Sequence, residues 1–577
     1  MCGLFGRLGA PLAPERTGAV LAALAGRGPD DHGLWHEPRV DGLTLLHTRL
    51  AIQDLSPLGH QPMISGDGRL LIVFNGEIYN QHDLRRSLEG LGSSFRSSSD
   101  TEVLLEGYRH WGDDLWRRLN GIFALALWEL PTRTLTLARD ACGVKPLLWQ
   151  RRPDGSVAFG SELSAFEAAG LAGRDRLCRE GLRSYALWGA VAAPHTLLEG
   201  VEVFPAGRWA RWHDGRWSDG AICPDIDIDG DGERPLAALL AEAVARQSIG
   251  DRPVGVFLSG GLDSGLLAAL LAQQQPGRVR SLAIGFRDLP GAVDEAPAAA
   301  ATAAHLGLDH TEVRIGPSEL QGALGPFLEA IDQPSIDGVN CFLVAHAARA
   351  AGMVVAFSGL GADELFAGYP HMAWPDERRR IACRRIPASG LPPWCKAALL
   401  NERQRRCGGG GPARLELGGY LQDTLLRDAD AVTMAQGLEL RVPFLDPHVQ
   451  AHALARPLAE LLAEGSKTPL RQLAAGLLPA AVLQAPKRGF NLPLAPWLLS
   501  DPRFAPAPLL ARLAPLGIPP GAVLRSWLLM RATPRRWAPY WRWWLLDAWC
   551  RGPSRTAAAT AAARASGLGN GTAGGPA

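Results

Sequence analysis

The sequence predicts two domains of different class: a layered α+β domain rich in antiparallel strands, then an α/β domain built on a parallel sheet. Three observations carry this. The chain has 577 residues, more than one core normally organises at about 100–250 residues per domain. Up to about residue 205, short β-like runs alternate with turns: "LTLLHTRLAI", "RLLIVFNGEIYN", "FALALWEL" and "TLTLARD". From about residue 235, long Ala/Leu helical stretches alternate with short apolar runs, "PVGVFLSGG", "VRSLAIGF" and "MVVAFSG". That alternation places helices on both faces of a parallel sheet.

In the first domain, 1–205, one helix is expected over "TEVLLEGYRHWG", capped by the serine cluster before it. The stretch 206–234 reads as a linker region. Its Asp/Gly-rich "PDIDIDGDGE" lacks the glutamate that a calcium loop carries at its twelfth position. The second domain, 235–550, turns mainly helical beyond 375 and carries a Gly-rich insertion, "CGGGGP". Near its end "WAPYWRWWLLDAWC" reads as a Trp-rich helix. Packing against the domain core is favoured over membrane attachment, because the stretch is short and only moderately basic. Residues 551–577 are a low-complexity tail.

Bulk properties exclude several classes. A hydrophobic content of 47% and a net charge of +1 argue against disorder and nucleic-acid binding. No apolar run reaches the roughly 18–20 residues of a membrane span, and "MCGLFGRLGA" lacks the apolar core of a secretory signal. Nine cysteines without a CxxC pair read as reduced thiols in a cytoplasmic setting. Of 59 basic residues only four are lysine, at 145, 396, 467 and 487. A lysine kept against that arginine bias favours a position needing a compact ammonium.

Cys2 follows the initiator methionine. Removal of Met1 puts a thiol and a free α-amine on one residue, with the amine as local base. "NGEIYN" offers the Asn75 amide and the Gly76 N–H, two donors suited to an oxyanion. Arg49, in "RLAI", has the planar fork that pairs with a carboxylate. Asp100 opens the predicted helix, where a cap is its ordinary role.

Taken together, "MCGLFG", "RGPDDHG", "RLAIQDLS", "NGEIYN", "SDTEV", "GIFALALWE" and "RDACGVKPL" resemble the N-terminal-nucleophile glutaminase domain of class II glutamine amidotransferases. The resemblance implies that Cys2 attacks the glutamine side-chain amide and releases ammonia, with Asn75 and Gly76 as the oxyanion hole. It assigns glutamine binding to Arg49, Leu50, Ala51, Ile52, Asn75, Gly76, Glu77 and Asp100. Ser98 stands where that family usually has glycine.

"LSGGLDSG" ends a buried run and opens a helix, and amides at such a turn bind anions. It is neither a Walker A loop nor a dinucleotide fingerprint. It is similar to the pyrophosphate loop of ATP pyrophosphatases. With "DQPSIDGVN", "SGLGADELFAGYP", "LLRDADAVTMAQGLELRVPFLD" and "KRGFNLPLAPWL", the match from Met1 to about residue 500 resembles the asparagine synthetase family. The implied fold is an N-terminal-nucleophile hydrolase domain followed by an ATP-pyrophosphatase-like domain, the chain forming a homodimer. The implied reaction consumes ATP, with Mg²⁺, to turn a carboxylate into an acyl-adenylate that glutamine-derived ammonia attacks.

By the same resemblance, Ser259, Gly260, Gly261, Asp263 and Ser264 cradle pyrophosphate. Leu258, Ile284, Ser358 and Gly359 contact the nucleoside, Asp263 and Asp363 hold magnesium, and Lys487 stabilises the phosphates during adenylation. Arg441 and Asp446 read as a structural network. One departure bears on the substrate. In aspartate-specific members the position after "SG" is commonly acidic, but here it is Leu360, which cannot accept a proton. Either Glu364, Asp337 or a water does so, or the substrate brings its own base. "DQPSIDGVN" also offers no arginine for an α-carboxylate. The acceptor is therefore aspartate, with asparagine as product, or another carboxylate on a natural product, peptide or envelope sugar.

Overall fold

In the computed structural model, residues 2–39, 41–224, 234–287, 294–374, 411–485, 492 and 494–552 are described. They form two compact units, one built on Met1–Gly181 and Ala193–Cys223, the other on Leu182–Ala192 and Pro224–Cys550. The Asp-rich run, most of the Gly-rich insertion, the low-complexity tail and Lys487 lie outside the described residues.

The first unit holds twelve strands: β1 (Cys2–Leu8), β2 (Asp31–His36), β3 (Leu43–Arg49), β4 (Met63–Ile64), β5 (Leu70–Ile78), β6 (Gly121–Glu129), β7 (Thr134–Arg139), β8 (Leu148–Arg151), β9 (Val157–Gly160), β10 (Glu202–Val203), β11 (Arg208–His213) and β12 (Arg216–Ala221). They build two six-stranded sheets, ordered β10-β8-β9-β1-β3-β2 and β12-β11-β7-β6-β5-β4. Leu4, Leu43 and Leu45 of the first sheet pack with Leu71, Val73 and Trp128 of the second. A second cluster sets Ile72, Phe74 and Leu125 against Leu84, Leu88, Val103 and Leu104 from the helices Gln81–Gly90 and Asp100–Trp111. Strands β5 and β6 are buried along both faces, so they read as continuous apolar runs.

The second unit carries a five-stranded, all-parallel sheet: β13 (Val254–Phe257), β14 (Arg280–Phe286), β15 (Asp309–Ile315), β16 (Val355–Phe357) and β17 (Glu439–Arg441), ordered β15-β14-β13-β16-β17. The chain reverses its winding between β13 and β16, and open α/β sheets bind ligands outside the carboxyl ends of the strands at such a switch point. The fold class is the one predicted for both domains. The Trp-rich stretch is the helix Ala538–Arg551, with Trp541, Trp543 and Trp549 fully buried, as core packing requires. Tyr185 donates to the Arg542 carbonyl at 2.8 Å, which draws the short segment 182–192 onto this unit.

Arg441 and Asp446 sit in structural networks. The Arg441 guanidinium is completely buried, 2.5 Å from Glu439 Oε1, and donates to the Gln247 and Ile249 carbonyls. Asp446 pairs with Arg246 at 3.1 Å and caps the next helix at the His448 N–H. No helix among the described residues is long and apolar enough to cross a membrane.

Candidate active sites

In the first unit the nucleophile candidate is the first residue of β1, paired with Arg49 of β3. The Cys2 nitrogen donates to Asn75 Oδ1 at 3.0 Å, which brings the ends of β1 and β5 together. Asn75 is fully buried, and its Nδ2 has no hydrogen-bond partner within the protein. A buried amide N–H₂ left unsatisfied costs about 1–3 kcal/mol, which a ligand oxygen would recover. Its position beside Cys2 suits an oxyanion that forms only during reaction.

Two residues to which the sequence assigned no role hold this corner in place, Arg27, the first residue of "RGPDDHG", and Glu162. Arg27 donates from Nε to the Cys2 carbonyl at 3.0 Å and from Nη1 to Glu162 Oε1 at 3.1 Å, with both side chains essentially unexposed. A charged pair in "LAGRGPDD" and "GSELS" carries no local sign that it meets beneath residue 2. His47 is also buried, its Nε2 3.1 Å from the Phe74 carbonyl, and burial pushes its pKa down to about 3. It therefore stays neutral and donates to the strand that carries Asn75.

The remaining glutamine-binding candidates surround the 53–59 loop. Arg49 donates to the carbonyls of Ser56 (2.9 Å), Gln53 (3.4 Å) and Asp54, so part of its fork is spent fixing that loop. A substrate carboxylate would have to take its other N–H groups. Gln53 bridges Glu77 and Gln81, while Leu50, Ala51 and Ile52 are buried, the Ala51 N–H bonding Asp30 at 2.8 Å. Asp100 is not the helix cap. Ser99 caps Asp100–Trp111 by accepting from Thr101, and Asp100 Oδ2 accepts the Ile78 N–H at 2.9 Å. Gly76 lies within β5, between Asn75 and Glu77.

In the second unit the loop after β13 carries Ser259 to Ser264. Gly260 has φ +69, and a Cβ there would lie 2.8 Å from Ala298, so only glycine fits. Ser259 and Ser264 bond each other, the Ser259 N–H reaching Ser264 Oγ at 3.1 Å, which curls the loop over the start of the helix Leu262–Gln274. Leu258 and Ile284 flank it, both buried. The loop after β16 carries Ser358 and Gly359, and a Cβ on Gly359 would meet Asp263 Cβ at 3.0 Å. The two neighbouring loops thus converge at the switch point.

Between them, Asp263 Oδ2 and Asp363 Oδ1 face each other across the ammonium of Lys467, at 2.5 and 2.7 Å. The other Asp263 oxygen is buried and has no hydrogen-bond partner. Burial opposes the Lys467 charge, but the two carboxylates more than offset it and its pKa is raised. Two hard carboxylates on one cation, with a spare buried oxygen, fit a divalent ion shared with phosphate. Lys467 is one of the four lysines kept against the arginine bias, and Lys487 lies outside the described residues.

Beyond Leu360, whose N–H reaches Ser358 Oγ at 3.4 Å, the buried Glu364 accepts from Tyr369 at 2.6 Å. Burial pushes its pKa up to about 7. Asp337 accepts from Tyr420 at 2.6 Å, and that tyrosine lies on a π-helical stretch, Leu417–Leu426, in ring contact with Tyr369. Asp332, in "DQPSIDGVN", pairs with Arg427, 95 residues away, at 3.4 Å.

Two family models match the chain. Residues 1–221 match the family described as "Glutamine amidotransferase domain", and residues 235–409 and 412–512 match "Asparagine synthase". The chain is similar to a putative glutamine-hydrolysing asparagine synthetase of Mycobacterium tuberculosis, at 31% identity over 86% of this chain and 88% of that one. It is similar to asparagine synthetase 1 of Bacillus subtilis at 30% identity, covering 82% and 83%. A solved structure of glutamine phosphoribosylpyrophosphate amidotransferase from B. subtilis covers 63% of this chain and 77% of its own, at 18% identity and a TM-score of 0.30.

Proposed function

The chain belongs to the family of glutamine-hydrolysing asparagine synthetases, and from that premise we propose that it amidates a carboxylate through an acyl-adenylate, with L-aspartate the leading acceptor and L-asparagine the product. The observation that carries this reading is the convergence of Asp263 and Asp363 at the ends of adjacent strands, with one Asp263 oxygen buried and spare.

In the first unit, Cys2 sulfur attacks the glutamine side-chain carbon. The developing oxyanion takes hydrogen bonds from Asn75 Nδ2 and the Gly76 N–H, ammonia leaves, and water releases glutamate from the thioester. In the second unit, an acceptor carboxylate oxygen attacks the α-phosphorus of ATP and pyrophosphate departs. Ammonia then attacks the acyl carbon, AMP leaves, and the added nitrogen loses a proton. Asp263 and Asp363 would hold Mg²⁺, which neutralises phosphate charge when bound. The Ser259–Ser264 loop would cradle pyrophosphate, and Lys487 would stabilise charge on the phosphates during adenylation.

Leu360 favours a second reading of the acceptor: an amidotransferase of the same family acting on a natural-product, peptide or envelope-sugar carboxylate. The deciding experiment measures pyrophosphate formation with glutamine, ATP and Mg²⁺, with and without L-aspartate, and identifies the product by mass. Aspartate-dependent pyrophosphate together with asparagine supports the first reading. Glutamine hydrolysis with no response to aspartate sinks it in favour of another carboxylate.

A further inference from the structure

Lys467 occupies an unusual place for a free-standing lysine. Its ammonium is almost wholly buried and lies within 2.7 Å of both carboxylates that would hold the metal. A divalent ion bridging those oxygens sits about 2.0–2.1 Å from each if it is magnesium. An ammonium nitrogen at 2.5 and 2.7 Å fills the same space, so the two cations exclude one another.

The surroundings are shaped for this arrangement. A Cβ on Gly368 would fall 2.3 Å from Lys467 Cε and 1.9 Å from Asp363 Oδ1, so the glycine leaves room for the lysine stem beside the carboxylate. Lys467 itself has φ +58, a left-handed conformation that residues bearing a side chain seldom adopt, and Gly465 has φ +104. Two positive-φ residues within three positions let the backbone present the ammonium to the site from just before the helix Thr468–Ala474.

We propose that Lys467 is an internal counter-cation that keeps the metal position between Asp263 and Asp363 closed until nucleotide phosphates arrive to take its ammonium. This rests on the reading of those two aspartates as metal ligands. A bare divalent ion entering the site would strand a buried ammonium without its partners, and an uncompensated buried charge is strongly destabilising. A metal arriving with ATP brings phosphate oxygens, to which a flexible lysine with three donors can turn. Metal and nucleotide therefore bind as one unit, each raising the affinity of the other by the same factor.

The test uses the full-length protein and Mn²⁺ as the probe, with free Mn²⁺ read by electron paramagnetic resonance. Titrations run with and without α,β-methylene-ATP, which cannot be cleaved at the reacting bond, and metal held by free analogue is subtracted. The wild type is expected to bind Mn²⁺ at least about tenfold more weakly without nucleotide than with it, within the usual range of coupling between sites. Lys467→Met is expected to raise nucleotide-free affinity about tenfold, and Lys467→Arg, which keeps a cation, to leave it weak. Lys467→Gln replaces the methionine variant if that one does not fold. Equal Mn²⁺ affinity for wild type with and without nucleotide, at a site that Asp263→Asn abolishes, overturns the counter-cation and leaves the metal ligands standing. If Asp263→Asn takes up Mn²⁺ with nucleotide as well as the wild type does, the metal-ligand reading itself has failed and the proposal falls with it.

Discussion

At Asn75 one amide is divided between two tasks: Oδ1 accepts from the Cys2 nitrogen, while Nδ2 points into the protein with nothing to bond. The first contact fixes the orientation of the second, so the donor is aimed before any substrate arrives. Removing one preorganised oxyanion donor typically costs about 10²–10³-fold in kcat. Asn75→Ala should show a fall of that size in glutamate release with a smaller change in KM. A fall confined to KM would mean that Asn75 only binds glutamine. Arg27 and Glu162 act at this scale too, since they hold the Cys2 carbonyl from below.

The elements that matter most are the strand ends. Strands β13 and β16 are neighbours in the parallel sheet, so the loops that follow them meet, and residues 100 positions apart share one cation. The short edge strand β17 carries the buried Arg441–Glu439 pair within itself, and Arg441 ties the strand to the end of the helix Leu236–Gln247 through the Gln247 carbonyl. Breaking a buried ion pair by removing one partner costs about 3–5 kcal/mol, because the survivor keeps its burial but loses its compensation. Glu439→Met should lower the thermal midpoint clearly, and the double variant with Arg441→Met should recover part of the loss. Additive losses would show that the two side chains act independently. The β11–β12 hairpin, which patterning did not single out, turns at Asp214–Gly215, both with positive φ. That dipeptide is a hairpin signal, masked here by half-exposed strands of mixed Arg and Trp.

On the scale of the whole molecule, two chemistries reside in separately packed units of one chain. If the first supplies only ammonia, it can be replaced by ammonia. Cys2→Ala should abolish glutamine-dependent pyrophosphate formation and retain it with an ammonium salt at high concentration. Loss of both would mean that Cys2 supports the second unit in some further way. Family membership rests on matches that run through both units, and Leu360 with its neighbours bears on the acceptor alone.

The sequence by itself determined both fold classes, the central strands and the main motif loops. Buried strands must be apolar and anion-binding turns must be glycine-rich, whatever surrounds them. It also determined that position 360 offers no group to accept a proton, because a leucine side chain has none in any conformation. Three things were decided only by tertiary structure. Arg27 met Glu162 under Cys2, Arg427 reached Asp332, and Lys467 came to stand between Asp263 and Asp363. Each joins charges roughly 95 to 204 residues apart. A charged residue shows no local preference for its partner, and only the packing that buries it obliges the two to pair.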